Sequence, residues 1–428
     1  MPAFKSQVRF TTFRQTKTRP KTMTSASSSP DVTSRQVLLF SLAAAVMVAN
    51  IYYSQPLLAV IGQAFGVSPT HAGYLVTLTQ LGDGLGVLLI VPLGDGVDRR
   101  KLTSIMLAGC VIALAAATLS PSFLIFAVVQ LLIGTTASAT MVVIPYVASH
   151  SSGAQRGRRV GQVITGLLLG ILLARTVSGF VSDLIGWRWM YALAAFAVAS
   201  LWVMLRRTMV ANPQVGTLVY SNLMRSLMVL FRAEPELRRR SIYAMLGMGS
   251  FSTLWTGLTL LLTSAPYHYS PSTIGLFGVI GAAGALSAGI AGRLGDRGLA
   301  NTTTCILAVA LITSWGLVAA GGTSLPLLIT GILVLDVAVM GLQVTHQSIL
   351  YRLAPDSQSR ITSIFVTAGF IGMSMGSALG SFAFAHAGWM GLCIVGTIMP
   401  IILLTHWVVT GILAPGFRPA FNRSDQLE

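Results

Sequence analysis

Charged residues are scarce in this sequence: Asp, Glu, Lys and Arg make up 9% of 428 residues, whereas 54% of the residues are hydrophobic. A water-soluble domain carries about a quarter charged residues. The scarcity excludes a soluble globular protein and favours a chain that crosses a membrane many times. No segment between the apolar runs is long enough to form a separate water-facing domain.

Cysteines are few as well, and a phosphate-binding P-loop motif is absent from the sequence. The three cysteines lie inside apolar runs at spacings that fit neither a metal site nor a disulfide framework, so we interpret them as small buried hydrophobic residues. Without a P-loop, nothing in the sequence suggests a nucleotide-driven pump. We expect no bound metal and no cofactor.

Apolar runs dominate what is present, and we count twelve, each about 20 residues long. That length lets a helix cross roughly 30 Å of hydrocarbon. Backbone in lipid must satisfy its own hydrogen bonds, and the short alternating segments of an outer-membrane barrel are absent, so we predict helices. The predicted spans, numbered 1 to 12, are 36–61, 70–92, 102–119, 122–148, 160–184, 188–205, 241–263, 272–292, 302–321, 325–350, 361–385 and 389–412.

The net charge of +16 arises from 28 basic and 12 acidic residues. In a soluble protein this excess would suggest nucleic acid as a partner, but in a membrane protein it reports orientation. With these spans, 26 of the 28 bases fall on one side, and the exceptions are Arg175 and Arg188. We therefore predict a multi-pass protein of the inner membrane with both termini in the cytoplasm. Its partners are the lipid bilayer and a small substrate, not nucleic acid.

The longest connection, 206–240, divides the chain into two six-helix bundles, 36–205 and 241–412. It is basic and contains prolines, and we predict a cytoplasmic linker loop. Residues 1–35 and 413–428 are predicted to be cytoplasmic tails, the first of them disordered. Two alternatives for the first tail stay open, an organellar transit peptide and a true start at Met23.

The two bundles repeat each other at an offset of 202 residues. Shared spacing at several separated places indicates an internal duplication, which is typical of transporters built from tandem repeats. The matching pairs are Ser68-Pro69 with Ser270-Pro271, Gly170 with Gly372, Gly186-Trp187 with Gly388-Trp389, and Arg158 with Arg360.

A charged turn between spans 2 and 3 reads Val91-Pro-Leu-Gly-Asp-Gly-Val-Asp-Arg-Arg-Lys101, and Gly292-Arg-Leu-Gly-Asp-Arg-Gly298 echoes it in the second bundle. The pair resembles the loop motif of the major facilitator superfamily, Gly-x-Leu-Ala-Asp-Arg-x-Gly-Arg-Arg. Residues that match the first copy are Leu93, Asp95, Arg99 and Arg100, and those that depart from it are Val91, Gly96 and Asp98. The resemblance implies an all-α membrane protein, twelve transmembrane helices in two pseudo-repeats, that is a transporter and not an enzyme.

The resemblance also implies that these turns latch the inward gate. In the family the loop aspartate caps a helix start in the other bundle, and the arginines pair across the seam. An acid at a helix N-terminus is electrostatically favourable. The alternative, that the bases only fix topology, does not exclude a latch. The implied gating residues are Asp95, Arg99, Arg100, Asp296 and Arg297.

Ionisable side chains inside lipid are expensive and usually functional. Counted from the outer ends of their spans, Arg175, Asp336 and Asp83 lie about 15, 16 and 20 Å deep. All three are near the midplane, where a transporter of this architecture binds its substrate. Arg175 is expected to pair with Asp336 or Asp83, with an anionic substrate, or with both in turn. A purely structural pair stays open, and His346 lies nearer the cytoplasm.

Polar side chains on spans 1 and 10 complete the predicted site. Asp336, Met340, Gln343 and Gln347 recur on one helix face, which we expect to line a cavity rather than only a helix contact. In span 1, Pro56 predicts a kink. Asn50, Tyr53 and Ser54 share a face there, and the resemblance favours a cavity for it. An aromatic anchor at the membrane interface is the alternative for Tyr52 and Tyr53. Weaker candidates are Gln130 and Trp255.

Span 5 carries Gly166, Gly170 and Ala174 at every fourth position, a smooth ridge that lets another helix approach closely. It occupies the place of the antiporter motif of drug exporters, but Ala174-Arg175 stands where that motif has Gly-Pro. The similar triplet of small residues in Gly372-Met-Ser-Met-Gly376 also matches a serine-nucleophile pattern. We interpret it as helix packing, because it lies inside a span.

The hypothesis that fits best is export of a small organic molecule in exchange for protons by a monomeric protein. Burial opposes ionisation of a carboxyl group and a nearby cation favours it, so such a group can exchange protons. Asp336 is our first choice for this role and Asp83 our second. The alternatives are an importer or uniporter of an anionic metabolite, a non-transporting receptor, and an intramembrane protease using Ser374 and His406.

Overall fold

The computed structural model describes residues 31–211, 220–281, 300–353 and 358–413, and all regular structure within these ranges is helical. Two short 3-10 helices cover Gln55–Leu57 and Val91–Asp95. The α-helices are α1 Ser34–Ala49, α2 Leu58–Phe65, α3 Pro69–Ala72, α4 Tyr74–Leu89, α5 Arg99–Leu119, α6 Phe123–Ala137, α7 Thr140–Ser149, α8 Gly153–Ile185, α9 Trp187–Thr208, α10 Tyr220–Ala233, α11 Pro235–Thr263, α12 Pro271–Gly281, α13 Ala300–Ala320, α14 Leu325–Leu353 and α15 Gln358–Leu413.

Nine helical segments of the described chain are long and apolar enough to cross a membrane. One of them, Ser359–Thr410, covers two predicted spans. Ala387 and Gly388 leave the helical conformation in the middle of α15 and so divide it into two crossings. Predicted span 1 appears as α1 and α2, and the second part of predicted span 8 lies outside the described residues. The prediction of an all-α membrane protein is confirmed, and the helices are consistent with twelve crossings.

Successive crossings run in opposite directions, so the turns collect on two faces of the molecule. We call the face with turns 96–98, 150–152 and 209–211 the basic face, because the arginine-rich helix ends lie there. The face with turns 66–68, 120–122 and 264–270 is the opposite face. These two names are used below for the two sides of the membrane.

The predicted kink in span 1 is a full break. Pro56 has no N–H, so it cannot donate to the Tyr52 carbonyl in the helical pattern. That carbonyl instead accepts a hydrogen bond from the Gln55 N–H at 3.1 Å, and α1 ends at Ala49. The helix resumes at Leu58 after the turn and the 3-10 helix. The break redirects the side chains of this turn, as the functional site shows.

Helix α1 begins at Ser34, two residues before the predicted start of span 1 at residue 36. Thr33 and Gln36 form a capping box in which each side chain bonds the other residue's backbone N–H. Just before it, Asp31 pairs with Arg159 and accepts a hydrogen bond from the Ser152 N–H at 3.0 Å. The Arg159 guanidinium holds the pKa of Asp31 below its usual value. Residues 1–30 lie outside the described chain.

The described parts of the predicted linker loop 206–240, residues 206–211 and 220–240, are largely helical. Helix α9 continues to Thr208, α10 occupies Tyr220–Ala233, and α11 begins at Pro235 rather than at 241. Proline suits the first position of a helix, where its missing N–H is not needed. Helix α10 buries Leu227 in a small cluster with residues of α11, α14 and α15. Charge and proline content alone did not reveal this apolar face.

The two bundles use the same backbone conformations at the predicted offset. Gly186 and Gly388 both have positive φ, 97° and 59°, at the turn between paired crossings. Ser68 and Ser270 each cap a helix by accepting a backbone N–H three residues later, at 3.2 and 3.4 Å. Sequence repeats at these positions therefore correspond to repeated local structure.

Glycine ridges bring helices into backbone contact in both bundles. A Cβ atom added to Gly170 would lie 2.3 Å from the Ala45 carbonyl oxygen, and one added to Gly372 would lie 1.9 Å from the Met245 carbonyl oxygen. Helix α8 thus packs directly on α1, and α15 packs on α11, as the small-residue ridges predict.

This contact gives a testable prediction for stability. We expect Gly372→Ala to lower the melting temperature, because the methyl group meets a backbone oxygen that cannot move aside, and overpacking costs about 1–3 kcal/mol. The matched control is Gly316→Ala in α13, where an added Cβ has nothing within 4 Å. There alanine should stabilise the helix slightly. Equal melting temperatures of the two purified variants, measured by intrinsic fluorescence, would contradict the packing argument.

Candidate functional site

Arg175 lies inside the helix bundle, ten residues before the end of α8 at Ile185 and so about 15 Å from the opposite face. It is only 3% exposed. Its Nε donates to Gln55 Oε1 at 2.7 Å, and its Cζ lies 4.8 Å from the centre of the Tyr52 ring and 4.0 Å from that of Trp255. A cation that has lost its water is therefore held by an amide oxygen and two aromatic faces.

Asp336 lies at a similar depth, eleven residues after the start of α14 at Leu325 and about 16 Å from the opposite face. It is 2% exposed. Its Oδ1 accepts a hydrogen bond from Trp255 Nε1 at 3.3 Å. Trp255 therefore contacts both ionisable groups: its ring faces Arg175 and its N–H bonds Asp336.

These side chains belong to different halves of the protein. Tyr52, Gln55 and Arg175 come from the first bundle, whereas Trp255 and Asp336 come from the second. We call these five residues the waist cluster. The bundles are joined beside it by a hydrogen bond of 2.8 Å from Thr259 Oγ1 to the Gln55 carbonyl oxygen. The cluster thus spans the seam, where movement of one bundle against the other must alter its contacts.

Glycines of α12 let that helix pass close to both ionisable residues. A Cβ added to Gly278 would lie 3.3 Å from the Arg175 Cβ, and one added to Gly281 would lie 2.8 Å from Asp336 Oδ2. Thr176 Oγ1, beside Arg175, donates to the Gly275 carbonyl oxygen at 3.0 Å. The contact of α8 with α12 closes the seam on the side of the opposite face.

No carboxylate in the described part of the chain lies within 4.0 Å of the Arg175 guanidinium nitrogens. Three buried atoms of the cluster, Gln55 Nε2, Arg175 Nη2 and Asp336 Oδ2, also have no hydrogen-bond partner among the described residues. Buried polar atoms are nearly always bonded. A donor of one bundle and an acceptor of the other are thus left available at the same place.

Asp83, the other predicted midplane acid, is buried in α4 but does not belong to the waist cluster. Its Oδ1 has no hydrogen-bond partner in the described ranges. Helix α4 packs tightly on α6 here, since a Cβ added to Gly82 would lie 2.0 Å from the Leu131 carbonyl oxygen. Sequence could not decide which acid accompanies Arg175, and the structure places Asp336 on the tryptophan that they share.

Of the residues in span 1, Tyr52 and Gln55 contact Arg175, and the predicted face of Asn50, Tyr53 and Ser54 points elsewhere. Asn50 Nδ2 donates to the Val46 and Met47 carbonyl oxygens at 3.0 and 3.3 Å, and lies 3.9 Å from Cys110 Sγ in α5. Tyr52 and Gln55 reach the arginine instead of Tyr53 and Ser54. The physical reason is the break after Ala49, because helical periodicity does not carry through the turn.

Both tyrosines of this turn, Tyr52 and Tyr53, are buried inside the protein. An aromatic anchor at the membrane interface would be exposed to lipid headgroups. The alternative interpretation of these residues as interface anchors is therefore wrong. Tyr52 provides one of the two rings against Arg175.

The polar stripe of α14 runs from the waist cluster towards the basic face. Asp336 is buried, whereas Met340, Gln343 and Gln347 are half-buried. Gln347 Nε2 donates to the Tyr351 hydroxyl at 2.8 Å, and this hydroxyl accepts a bond from Thr362 of α15. The end of the stripe therefore fixes α14 to α15.

His346 belongs to a separate buried group near the basic face. Arginine can only donate, so Arg240 Nη1 donates to His346 Nδ1 at 2.8 Å, and Arg240 Nε donates to Glu236 Oε1 at 2.7 Å. The group joins α11 to α14 within the second bundle and does not reach the waist cluster. His346 therefore links α14 to α11 through Arg240.

The residues of the protease hypothesis do not form a catalytic pair in the described chain. Ser374 Oγ donates to the Phe370 carbonyl oxygen of its own helix at 2.9 Å. His406 Nδ1 lies 3.4 Å from the Tyr243 hydroxyl. Each side chain is bonded elsewhere, which supports the interpretation of the Gly-x-Ser-x-Gly pattern as helix packing.

In the charged turn, Asp95 forms an ion pair of 3.3 Å with Arg99. Its other oxygen accepts a hydrogen bond of 3.2 Å from Ser359, the second residue of α15 in the other bundle. The loop aspartate thus contacts the start of a helix of the other bundle through a serine hydroxyl. The side chain that caps the following helix, α5, is Asp98, which accepts the Arg100 N–H at 3.0 Å.

The described partners of Arg99 and Arg100 in this turn belong to the first bundle. Arg99 donates to the Gly94 and Pro145 carbonyl oxygens, and Arg100 Nη2 donates to the Arg206 carbonyl oxygen at 2.7 Å. Among the described residues, these bonds of Arg99 and Arg100 all lie within the first bundle. The two other implied gating residues, Asp296 and Arg297, lie outside the described residues.

Sequence reasoning missed Gln55 and ranked Trp255 too low. Gln130, ranked beside Trp255, instead bonds Tyr191 at 2.7 Å and Thr79 at 3.1 Å inside the first bundle. The sequence carries one indication of Trp255, because hydroxyl residues recur on both sides of it in α11. The structure buries these residues, as expected of a central helix. They are Ser250, Ser252, Thr253, Thr256 and Thr259.

Comparisons with known proteins agree with this architecture. Residues 40–377 match the family described as Major Facilitator Superfamily. The chain is 38% identical over 374 residues to the uncharacterised transporter YgaY of Escherichia coli. The aligned region covers 87% of this chain and 94% of that protein. The chain is 31% identical over 388 residues to the probable transporter SCO4007 of Streptomyces coelicolor, covering 89% and 87%.

The fold is shared with a solved transporter structure. The crystal structure of the human organic anion transporter MFSD10 aligns with a TM-score of 0.67 at 17% identity, covering 87% of this chain and 98% of that one. At this identity the likeness shows the fold alone. The family match over most of the sequence, with the relatives that are named transporters, shows a multi-pass membrane transporter of small solutes. The chain belongs to the major facilitator superfamily.

Proposed function

We propose that this protein exports a small organic molecule from the cytoplasm in exchange for protons. The two bundles rock about the waist cluster, which opens alternately to each side. The observation that carries this proposal is the position of Trp255, which contacts Arg175 of one bundle and bonds Asp336 of the other. A motion of the bundles changes the distance between this cation and this acid.

The chemistry of the cluster indicates the class of substrate. It combines two aromatic rings with one guanidinium, one carboxyl and one amide group. Mostly apolar sites with a few convergent polar groups bind small organic molecules. A molecule with a flat apolar part and a polar group that accepts hydrogen bonds fits the rings and Arg175 Nη2.

Coupling to protons follows from the same groups. When Asp336 is ionised, it attracts Arg175 and favours closure of the seam between them. When Asp336 takes up a proton, that attraction is lost, and the guanidinium is available to a substrate. A carboxyl that alternates between these states as the bundles rock transfers one proton per cycle, which makes substrate export and proton uptake interdependent.

The proposal includes the orientation of the chain in the membrane and its monomeric state. The basic face lies in the cytoplasm, because loops with an excess of Lys and Arg stay on that side, and 26 of the 28 bases are assigned to it by the sequence. The chain resides in the inner membrane and works as a monomer, since one chain provides both halves of the waist cluster. The contact of Asp95 with Ser359 acts as the latch at the cytoplasmic gate.

A second candidate is import or uniport of an anionic metabolite. It is favoured by Arg175 Nη2, a buried donor of a cationic group without a hydrogen-bond partner among the described residues. An anion bound there would provide the negatively charged partner that the Arg175 guanidinium lacks among the described residues. MFSD10, which shares the fold, is an organic anion transporter.

Transport in oriented vesicles distinguishes these candidates. A panel of toxic or radiolabelled compounds tested on an overexpressing strain first identifies a substrate. We expect that compound to accumulate in everted vesicles with an acidic interior, and a protonophore to abolish the accumulation. Vesicles without the protein are the control. Accumulation only in right-side-out vesicles would indicate an importer, and downhill flux that ignores the pH gradient would indicate a uniporter.

A further inference from the structure

A cavity of about 350 Å³ lies away from the waist cluster, between the first turn of α5 and the last turns of α9 at the basic face. Three of its lining residues are arginines and none is acidic. We call this cavity the arginine pocket, and its lining residues are Arg100, Trp202, Val203, Arg206 and Arg207.

The arginine pocket lies at the level where lipid headgroups meet hydrocarbon. Arg206 and Arg207 are in the last turn of α9. Within about one turn of these levels the outer surface is apolar, since Met204 is 52% and Ile105 is 60% exposed. In a membrane-spanning protein, such side chains face acyl chains. Tryptophan, here Trp202, is typical of this interface.

Hydrogen bonds hold two walls of the pocket in place. Arg100 Nη2 donates to the Arg206 carbonyl oxygen at 2.7 Å, and Trp202 Nε1 donates to Ser104 Oγ of α5 at 2.7 Å. Both bonds join α5 to α9. Because a guanidinium has five N–H donors, Arg100 retains donors for a ligand after this bond. The pocket is therefore positioned by the fold rather than by mobile side chains alone.

We propose that the arginine pocket binds the phosphate diester of an anionic glycerophospholipid. Planar guanidinium groups match phosphate oxygens in pairs. Basic pockets between membrane helices on the cytoplasmic side bind anionic headgroups. Val203 provides an apolar wall for the start of an acyl chain, which a soluble phosphate lacks. The proposal requires only that the protein spans the membrane, so it does not depend on the direction or coupling of transport.

Native mass spectrometry of the delipidated full chain tests this site, with dioleoylphosphatidylglycerol and dioleoylphosphatidylcholine as probes. We expect the native protein to retain one phosphatidylglycerol in preference to phosphatidylcholine. The double variant Arg206→Gln/Arg207→Gln should bind phosphatidylglycerol about 10- to 30-fold more weakly. The matched control is Arg225→Gln/Arg232→Gln in α10, which removes the same charge from positions that are exposed, as Arg206 and Arg207 are, but that do not line the pocket.

Three outcomes would overturn the proposal. An equal loss in the α10 control would mean diffuse attraction to the basic face. Displacement of the lipid by millimolar inorganic phosphate would assign the pocket to a soluble anion. Undiminished phosphatidylglycerol binding by the folded double variant would show that the arginine pocket is not the lipid-binding site. If that variant does not fold, Arg100→Lys keeps the charge but loses the paired donors, and a binding affinity within twofold of native would contradict the proposal equally.

Discussion

Replacement of Arg175 by lysine is expected to reduce substrate exchange by at least about 100-fold. Lysine keeps the charge but cannot stack its head group between the Tyr52 and Trp255 rings while it bonds Gln55. A desolvated cation–π contact contributes about 2 kcal/mol, and a hydrogen bond of a charged group about 1.5–3 kcal/mol. Even a partial loss of both amounts to about two powers of ten. Counterflow in proteoliposomes measures the effect.

The chain offers a matched control in Arg188 at the opposite face. Its Cζ lies 4.5 Å from the Trp187 ring centre, and its Nη1 donates to the Thr118 and Ser120 carbonyl oxygens at 3.0 Å. Arg188→Lys therefore loses a similar stack and similar bonds far from the waist cluster. We expect it to lower the melting temperature as much as Arg175→Lys but to leave exchange within a few-fold of native. If Arg175→Lys exchanges substrate at the native rate, the Arg175 guanidinium takes no part in transport.

Depth within the membrane could be predicted from sequence, because hydropathy fixes where each helix begins and ends. The depths of Arg175 and Asp336 counted from the predicted spans agree with those in α8 and α14 to about one helical turn. The helix-packing ridges were equally accessible, since glycines at every fourth position leave few other interpretations. The backbone contacts at Gly170 and Gly372 follow from that pattern.

Rotation about a helix axis could not be predicted where the helix breaks. Helical periodicity places Tyr53 and Ser54 on one face with Asn50, but in the broken turn before Pro56 it is Tyr52 and Gln55 that contact Arg175. Whether Asp336 or Asp83 lies near Arg175 depends on which helices are neighbours across the seam, and a single sequence does not contain that information. Trp255 was difficult for the same reason, because its role comes from two partners on other helices.

Asp336→Asn is expected to separate exchange from uphill transport. Asparagine has nearly the same shape, and its amide oxygen can still accept the Trp255 N–H that Asp336 Oδ1 accepts at 3.3 Å. The waist cluster should therefore bind substrate, and equilibrium exchange should stay within a few-fold of native. The asparagine side chain does not bind or release a proton, so the pH gradient can no longer drive the transport cycle.

The expected size of this effect follows from the energy of the gradient. One pH unit is worth about 1.4 kcal/mol for each proton, or about a tenfold accumulation of substrate at one proton per cycle. Native protein in everted vesicles should approach that ratio, and Asp336→Asn should stay near one. Asp83→Asn is the matched control, because Asp83 is also a buried midplane carboxyl but lies outside the waist cluster. If Asp83→Asn abolishes accumulation while Asp336→Asn preserves it, the proton is carried on α4, and the seam between Arg175 and Asp336 serves binding alone.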